Sequence, residues 1–303
     1  MGTGIVSIGL ALAGQPTTSA VLLALTAALW LGLLAVFAAR WARQRPRWLR
    51  EARSPGSLTG VAGTAVLGSR LTIDGVHWAG WLLLVVAAAA WLSLVPRVLR
   101  HWQTPTVGVS FVLTVATESL AVLAALLALD ERRGWLALAA LVPLALGVAA
   151  YLFALARADL GQVLVGGGDH WIFGGALAIA TLACARTTAA LEATGRLVAW
   201  HGVLQDATLA LWTAAIVWLP VLLAGELLRP RLRYQTARWG TVFPFGMYAV
   251  CSIATGSVSG VSGIGGFGRA WIFVALAVWL VVFAGMLARA AALGRAGGPL
   301  PGA

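Results

Sequence analysis

Polar, glycine and proline positions cut this chain into long apolar runs. They span about Met1–Gly14, Thr18–Trp41, Leu58–Val76, His77–Val95, Val107–Leu129 and Trp135–Leu155, then about Trp171–Leu191, Gly202–Leu228, Trp239–Val258 and Ala270–Leu287. A helix needs about 20 largely apolar residues to cross a bilayer, so the pattern predicts ten membrane helices joined by short loops. Arg70, Asp74 and the turn signal Asp74-Gly75 mark the break between the third and fourth runs. The first run is the exception: about 14 apolar residues precede Gln15-Pro16, too few to cross unaided. No basic stretch opens it as a signal peptide would. Either this helix is discontinuous or the first helix is truncated at its N-terminus.

Composition settles the solvent. Of 303 residues, 60% are hydrophobic and only 10% charged, against roughly 25% charged in soluble domains. So few ionised groups cannot cover a water-soluble globule, which excludes a soluble enzyme, a disordered chain and a disulfide scaffold. No loop is long enough for a soluble domain, so residues 1–303 read as a single transmembrane domain of an all-α membrane protein. Cys184 and Cys251 lie in apolar runs and imply no disulfide. The 21 basic residues are all Arg and the net charge is +11. In a soluble protein that would point to nucleic acid; in a bilayer the placement of the arginines matters more than their sum.

Their placement is lopsided. Arg40, Arg43, Arg45, Arg47, Arg50, Arg53, Arg97, Arg100, Arg157, Arg229, Arg231, Arg233, Arg238, Arg289 and Arg295 follow even-numbered runs, 15 of the 21. Arg70, Arg132, Arg133, Arg186, Arg196 and Arg269 belong to the opposite side or the half-membrane beside it. The bias places both termini in the cytoplasm. Trp41, Trp48, Trp78, Trp81, Trp102, Trp135, Trp171, Trp200, Trp239 and Trp271, ten of fifteen tryptophans, fall near run ends, at headgroup level. Trp91, Trp212 and Trp218 fit a core role instead.

Two motif matches lack the context their chemistry needs. Gly263–Gly268 fits G-x-G-x-x-G, but no βαβ unit surrounds it, and it reads as a flexible outer loop. Gly260-Val261-Ser262-Gly263 resembles an intramembrane protease motif, but no histidine follows to act as base. His77, His101, His170 and His201 show no metal-ligand spacing, and no cofactor or metal is expected.

Charges inside the apolar runs are more informative, since each costs about 2.5–3.5 kcal/mol to insert at the bilayer centre. Glu118 lies near the middle of the fifth run, with Arg70 and Arg186 in the outer halves of the third and seventh. At about 1.5 Å per residue their depths match within a few ångströms, so Glu118 can pair with Arg186 or with Arg70 if the helices are neighbours. Alternatively each bonds separately to backbone, hydroxyls or water. Left unpaired, Glu118 could carry protons. In the ninth run, Pro244 sits inside Val242-Phe243-Pro244-Phe245-Gly246, where it can free backbone groups and bend the helix. Gly2, Gly4, Gly108, Gly174 and Gly175 allow close helix packing, or equally a pore lining.

Four stretches carry a family resemblance: Met1–Ile8 (MGTGIVSI), Ser110–Leu123 (SFVLTVATESLAVL), Asp169–Ala183 (DHWIFGGALAIATLA) and Arg238–Gly256 (RWGTVFPFGMYAVCSIATG). Together they resemble the tellurite-resistance/dicarboxylate transporter family, which includes plant slow anion channels, malate permeases and sulfite exporters. Family members usually have residues ahead of the M-G-T-G element, which favours truncation at Met1. The resemblance implies ten transmembrane helices as five helical hairpins around a central pore, with odd-numbered helices inside. It implies a likeness to homotrimers in the plasma membrane and a Phe plug, here Phe243, followed by Pro244. Thr3, Gly4 and Gly246 fall within the matched stretches and become pore-lining candidates beside Glu118, Arg186 and Arg70. Phe245 is a rival plug. The implied activity is passage of a small anion, such as sulfite, tellurite, malate or another C4-dicarboxylate, chloride or nitrate, with no nucleic acid involved. A proton-coupled carrier using Glu118 is the alternative, and a membrane-embedded enzyme is disfavoured by the missing catalytic cluster.

Overall fold

The computed structural model describes residues 1–165, 168–230 and 234–295. Arg231 and Arg233, part of the charge count above, lie outside the described residues. The structure is helical. Its principal helices are α1 (Gly2–Leu12), α2 (Pro16–Arg43), α3 (Thr59–Ile73), α4 (His77–Arg100), α5 (Val112–Asp130), α6 (Gly134–Leu155), α7 (Ile172–Ala193), α8 (His201–Leu228), α9 (Trp239–Ser259) and α10 (Ser262–Arg295). Eight of these are long and apolar enough to cross a membrane; α1, with 11 residues, and α3, with 15, are shorter.

Short turns join α1 to α2, α3 to α4, α5 to α6, α7 to α8 and α9 to α10, and each of these pairs packs together. The odd-numbered helices also pack on one another in succession: α1 on α3, α3 on α5, α5 on α7, α7 on α9, and α9 back on α1. That closes a ring. Burial follows the ring: α5, α7 and α9 are buried over nearly their whole length, whereas α2, α4, α8 and α10 bury only scattered residues. Leu33, Val85, Val217 and Val281 are among many large apolar side chains left exposed on the even helices. A bilayer, not water, suits such a surface.

Backbone chemistry repeats at the five turns. The chain turns through left-handed residues at Gly14, Gly75, Gly195 and Gly260, with φ of +78°, +79°, +63° and +73°. Glycine has no Cβ to clash there. The α5–α6 turn uses Arg132 instead, at φ +55°, a conformation that costs an ordinary residue energy.

Tryptophan ties the outer helices to the ring. Trp30 of α2 donates to Thr64 Oγ1 of α3 (2.9 Å), and Trp91 of α4 to Thr117 Oγ1 of α5 (2.8 Å). Trp212 of α8 donates to Ser252 Oγ of α9 (2.9 Å), and Trp279 of α10 to Thr3 Oγ1 of α1 (3.1 Å). Thr64, Thr117 and Ser252 donate in turn to their own helix one turn back, so each hydroxyl is used twice. The core reading of Trp91 and Trp212 therefore agrees with the structure.

One expectation changes. The glycine run Gly263–Gly268 is not a loop but the opening of α10. A Cβ on Gly256 would lie 2.5 Å from Gly265 N, and one on Gly268 would lie 2.5 Å from Ala249 O. The glycines let α9 and α10 touch backbone to backbone, a packing that stabilises helices in lipid. Pro244 lies within α9 without ending it, and its ring rests on Gly175 of α7, where a Cβ would lie 2.6 Å from Pro244 Cγ.

Candidate functional site

The contacts of α9 fix which way each side chain points. Val242, Gly246 and Val250 meet α1 at Gly2, Ile5 and Gly9; Pro244 and Tyr248 meet α7 at Gly175 and Gly174. Ala249 and Ile253 meet Gly268 of α10, and Ser252 meets Trp212 of α8. At about 100° per residue, the arc left between the α1 and α7 contacts carries Phe243, Met247 and Ala254. That arc faces the middle of the ring. Phe243 is fully buried on it. Phe245 points elsewhere, packed between Trp171 and Trp271 at ring-centroid distances of 4.5 Å and 5.6 Å.

The small residues on the matched stretches occupy helix–helix contacts. A Cβ on Gly4 would lie 2.7 Å from Val66 Cγ1 of α3, and one on Gly246 would lie 2.6 Å from Ile5 Cγ2 of α1. Thr3 takes the hydrogen bond from Trp279 on α10.

Neither ion pair expected of Glu118 forms. Arg70 is buried and uses its donors locally: Nε donates to Ser7 Oγ and Ser19 Oγ (both 3.2 Å), Nη2 to Ser19 Oγ (2.9 Å) and Nη1 to Asp74. Asp74 lies one turn along α3, which is why the pair forms there first. Ser7 and Ser19 also donate to each other's carbonyls (2.8 and 2.7 Å), so Arg70 sits on the α1–α2 junction. The Glu118 carboxyl turns away from Arg70 and rests on α6, where a Cβ on Gly147 would lie 2.4 Å from its Cδ and Oε1. Neither carboxyl oxygen has a hydrogen-bond partner among the described residues.

Arg186 occupies a third setting. It lines a cavity of about 310 Å³ between α7 and α9, at the end of the ring that bears the α5–α6 turn. Ala254, Ser257, Val258, Glu192 and Arg132 share the wall. Ala254 belongs to the arc of α9 that carries Phe243, eleven residues or about 16 Å away. Arg186 makes no hydrogen bond or ion pair among the described residues; Asp130 attracts it at longer range and is itself 3.4 Å from His77 Nε2. Arg132 donates from Nη1 to Ala193 O (3.0 Å). Nothing in the residue pattern distinguished Arg132 from other loop arginines; its left-handed backbone appears only in the fold.

At the opposite end, Arg238 Nη1 donates to Glu226 Oε1 (2.8 Å), and the buried His170 lies 3.8 Å from Glu226 Oε2. These contacts join the starts of α7 and α9 to the end of α8. Among the described residues, no group of three or more His, Cys, Asp or Glu could hold a metal ion.

A closed ring of buried helices inside an apolar, lipid-suited outer layer, with an arginine-lined cavity at one end, defines a multi-pass membrane protein. Residues 1–287 match the SLAC1 family, described as voltage-dependent anion channel, and the chain belongs to that family. It is also 33% identical over 134 residues to uncharacterized membrane proteins of two Mycobacterium tuberculosis strains, CDC 1551 / Oshkosh and H37Rv; the match covers 42% of this chain and 68% of each relative. No solved structure matches the chain.

Proposed function

We propose that this protein passes small anions across the membrane along the axis of the five-helix ring, with Phe243 closing the path. The ten helices act as five hairpins, odd members lining the path and even members facing lipid. The observation that carries this reading is the inward arc of α9, which Phe243 shares with Ala254 of the arginine-lined cavity. A buried aromatic ring across a narrow apolar passage excludes water and ions by bulk and dewetting, and a change of rotamer opens it. Membership of an anion-channel family agrees in sign and class.

Glu118 has no part in this path. Its carboxyl lies against Gly147 of α6, on the side of α5 turned to that outer helix, so an anion on the axis need not pass it. The arginine bias supports a plasma-membrane protein with both termini cytoplasmic, which makes the Arg186 end the outer mouth. The apolar faces of the even helices are free to pack against copies of the chain in a homotrimer.

The test is anion flux into proteoliposomes across chloride, nitrate, sulfite, tellurite and malate, for wild type and Phe243→Ala. Much larger flux in the variant is expected for whichever anions pass. Equal flux in the two proteins removes Phe243 from the gate.

A further inference from the structure

We propose that Arg186 and Arg132 form a binding site for a small oxyanion at the outer mouth, where the permeating anion is held before it reaches the Phe243 constriction. The site rests on the conduction reading above and gives it a substrate class.

The case begins with what Arg186 does not do. A guanidinium within the membrane half is expensive and is ordinarily matched by acceptors. Arg70 meets that expectation with two serines and Asp74. Arg186 has no such partner among the described residues, only the longer-range attraction of Asp130, and it lines a cavity of about 310 Å³, the volume of about ten waters at ~30 Å³ each. A nitrate- or sulfite-sized ion fits with several waters to spare.

Arg132 is the second, independent observation. Four of the five equivalent turns place glycine at the left-handed position, and this one places arginine at φ +55°. Strained backbone of this kind persists where the surroundings hold it, and it concentrates at functional sites. Here Arg132 Nη1 is tethered to Ala193 O, and the residue forms part of the wall with Arg186. Against the two arginines the wall sets a single carboxylate, Glu192, so its charge balance favours an anion and draws one from solution. Arginine's planar fork donates two parallel bonds to an oxyanion, a geometry a spherical halide cannot match.

The experiment titrates external nitrate and external chloride against wild type, Arg186→Gln, Arg186→Lys and Arg132→Gly in proteoliposomes. Arg186→Gln is expected to raise the half-saturating nitrate concentration roughly ten- to a hundredfold, as the loss of charged hydrogen bonds does, with maximal flux nearly unchanged. Arg186→Lys is expected to keep chloride handling but lose the preference for nitrate. Arg132→Gly restores the residue used at the other four turns, so it folds, and it is expected to weaken nitrate saturation several-fold. Unchanged half-saturation in both Arg186→Gln and Arg132→Gly overturns the site. Should wild type pass no anion, conduction fails while the site is still decided in detergent: nitrate must protect Arg186 from phenylglyoxal, and equal modification with and without nitrate overturns it.

Discussion

The contact between Glu118 and Gly147 makes a prediction whose sign depends on the background. Glycine to alanine within a helix is intrinsically favourable by about 1 kcal/mol. At position 147 the new Cβ would lie 2.4 Å from Glu118 Cδ and Oε1 and 2.6 Å from its Cγ, where carbon contacts normally settle near 3.5–4.0 Å. Something must therefore move by about 1 Å. Glu118 is fully buried, so its carboxyl cannot swing out into solvent, and overpacking of this kind costs about 1–3 kcal/mol. Gly147→Ala alone should lower the thermal midpoint by several degrees. Glu118→Ala removes the carboxyl and opens the space the methyl needs. In that background the same Gly147→Ala change should be neutral or stabilising. The assay is thermal unfolding in detergent, followed by tryptophan fluorescence, on the two single variants and the double variant. Equal destabilisation by Gly147→Ala in both backgrounds, which is strict additivity, would show that the carboxyl does not rest on α6.

Two further outcomes follow from single contacts. Trp91→Phe deletes the 2.8 Å bond to Thr117 and should cost about 1 kcal/mol, whereas Trp78→Phe, at a site 73% exposed, should cost almost nothing; equal midpoints for the two variants would discount the tryptophan ties. The Glu131 carboxyl, beyond the end of α5, is held below its ordinary value of 4.5 first by the hydrogen bond from Trp81, then by that from Arg133. A depressed carboxylate stabilises the fold above its unfolded value and loses that contribution as pH falls through the folded one. Stability measured downward from pH 4.5 should therefore decline less steeply in Glu131→Gln, and an unchanged slope would count against this pairing.

How much of this could be read from the residues depends on where the information is stored. The helix pairs were legible because turns interrupt apolar runs with residues of distinctive backbone chemistry: Gly14, Gly75, Gly195 and Gly260 mark four of the five. The direction of Glu118 was not legible. In α5 every residue from Val112 to Ala128 is buried, so the helix is enclosed all round and has no wet face from which to orient it. What decides the direction is an absence on another helix, the missing Cβ of Gly147, and one sequence cannot say which helix will supply it. The same physics misled the reading of Gly263–Gly268. Glycine weakens a helix in water, but between two helices in lipid it permits the close packing seen between α9 and α10. A glycine run beside a membrane span is thus ambiguous between loop and contact until its neighbour is known. Arg132 and Arg186 show the converse case. Depth alone made Arg186 a partner for Glu118, and the fold separates them by turning Glu118 toward α6 and Arg186 toward the cavity. A charge left unneutralised in a membrane protein is costly unless something mobile meets it. In the proposed site an anion from solution is that counterion for Arg186, held in the cavity it lines, which would tie the arginine's cost to the transport role proposed above.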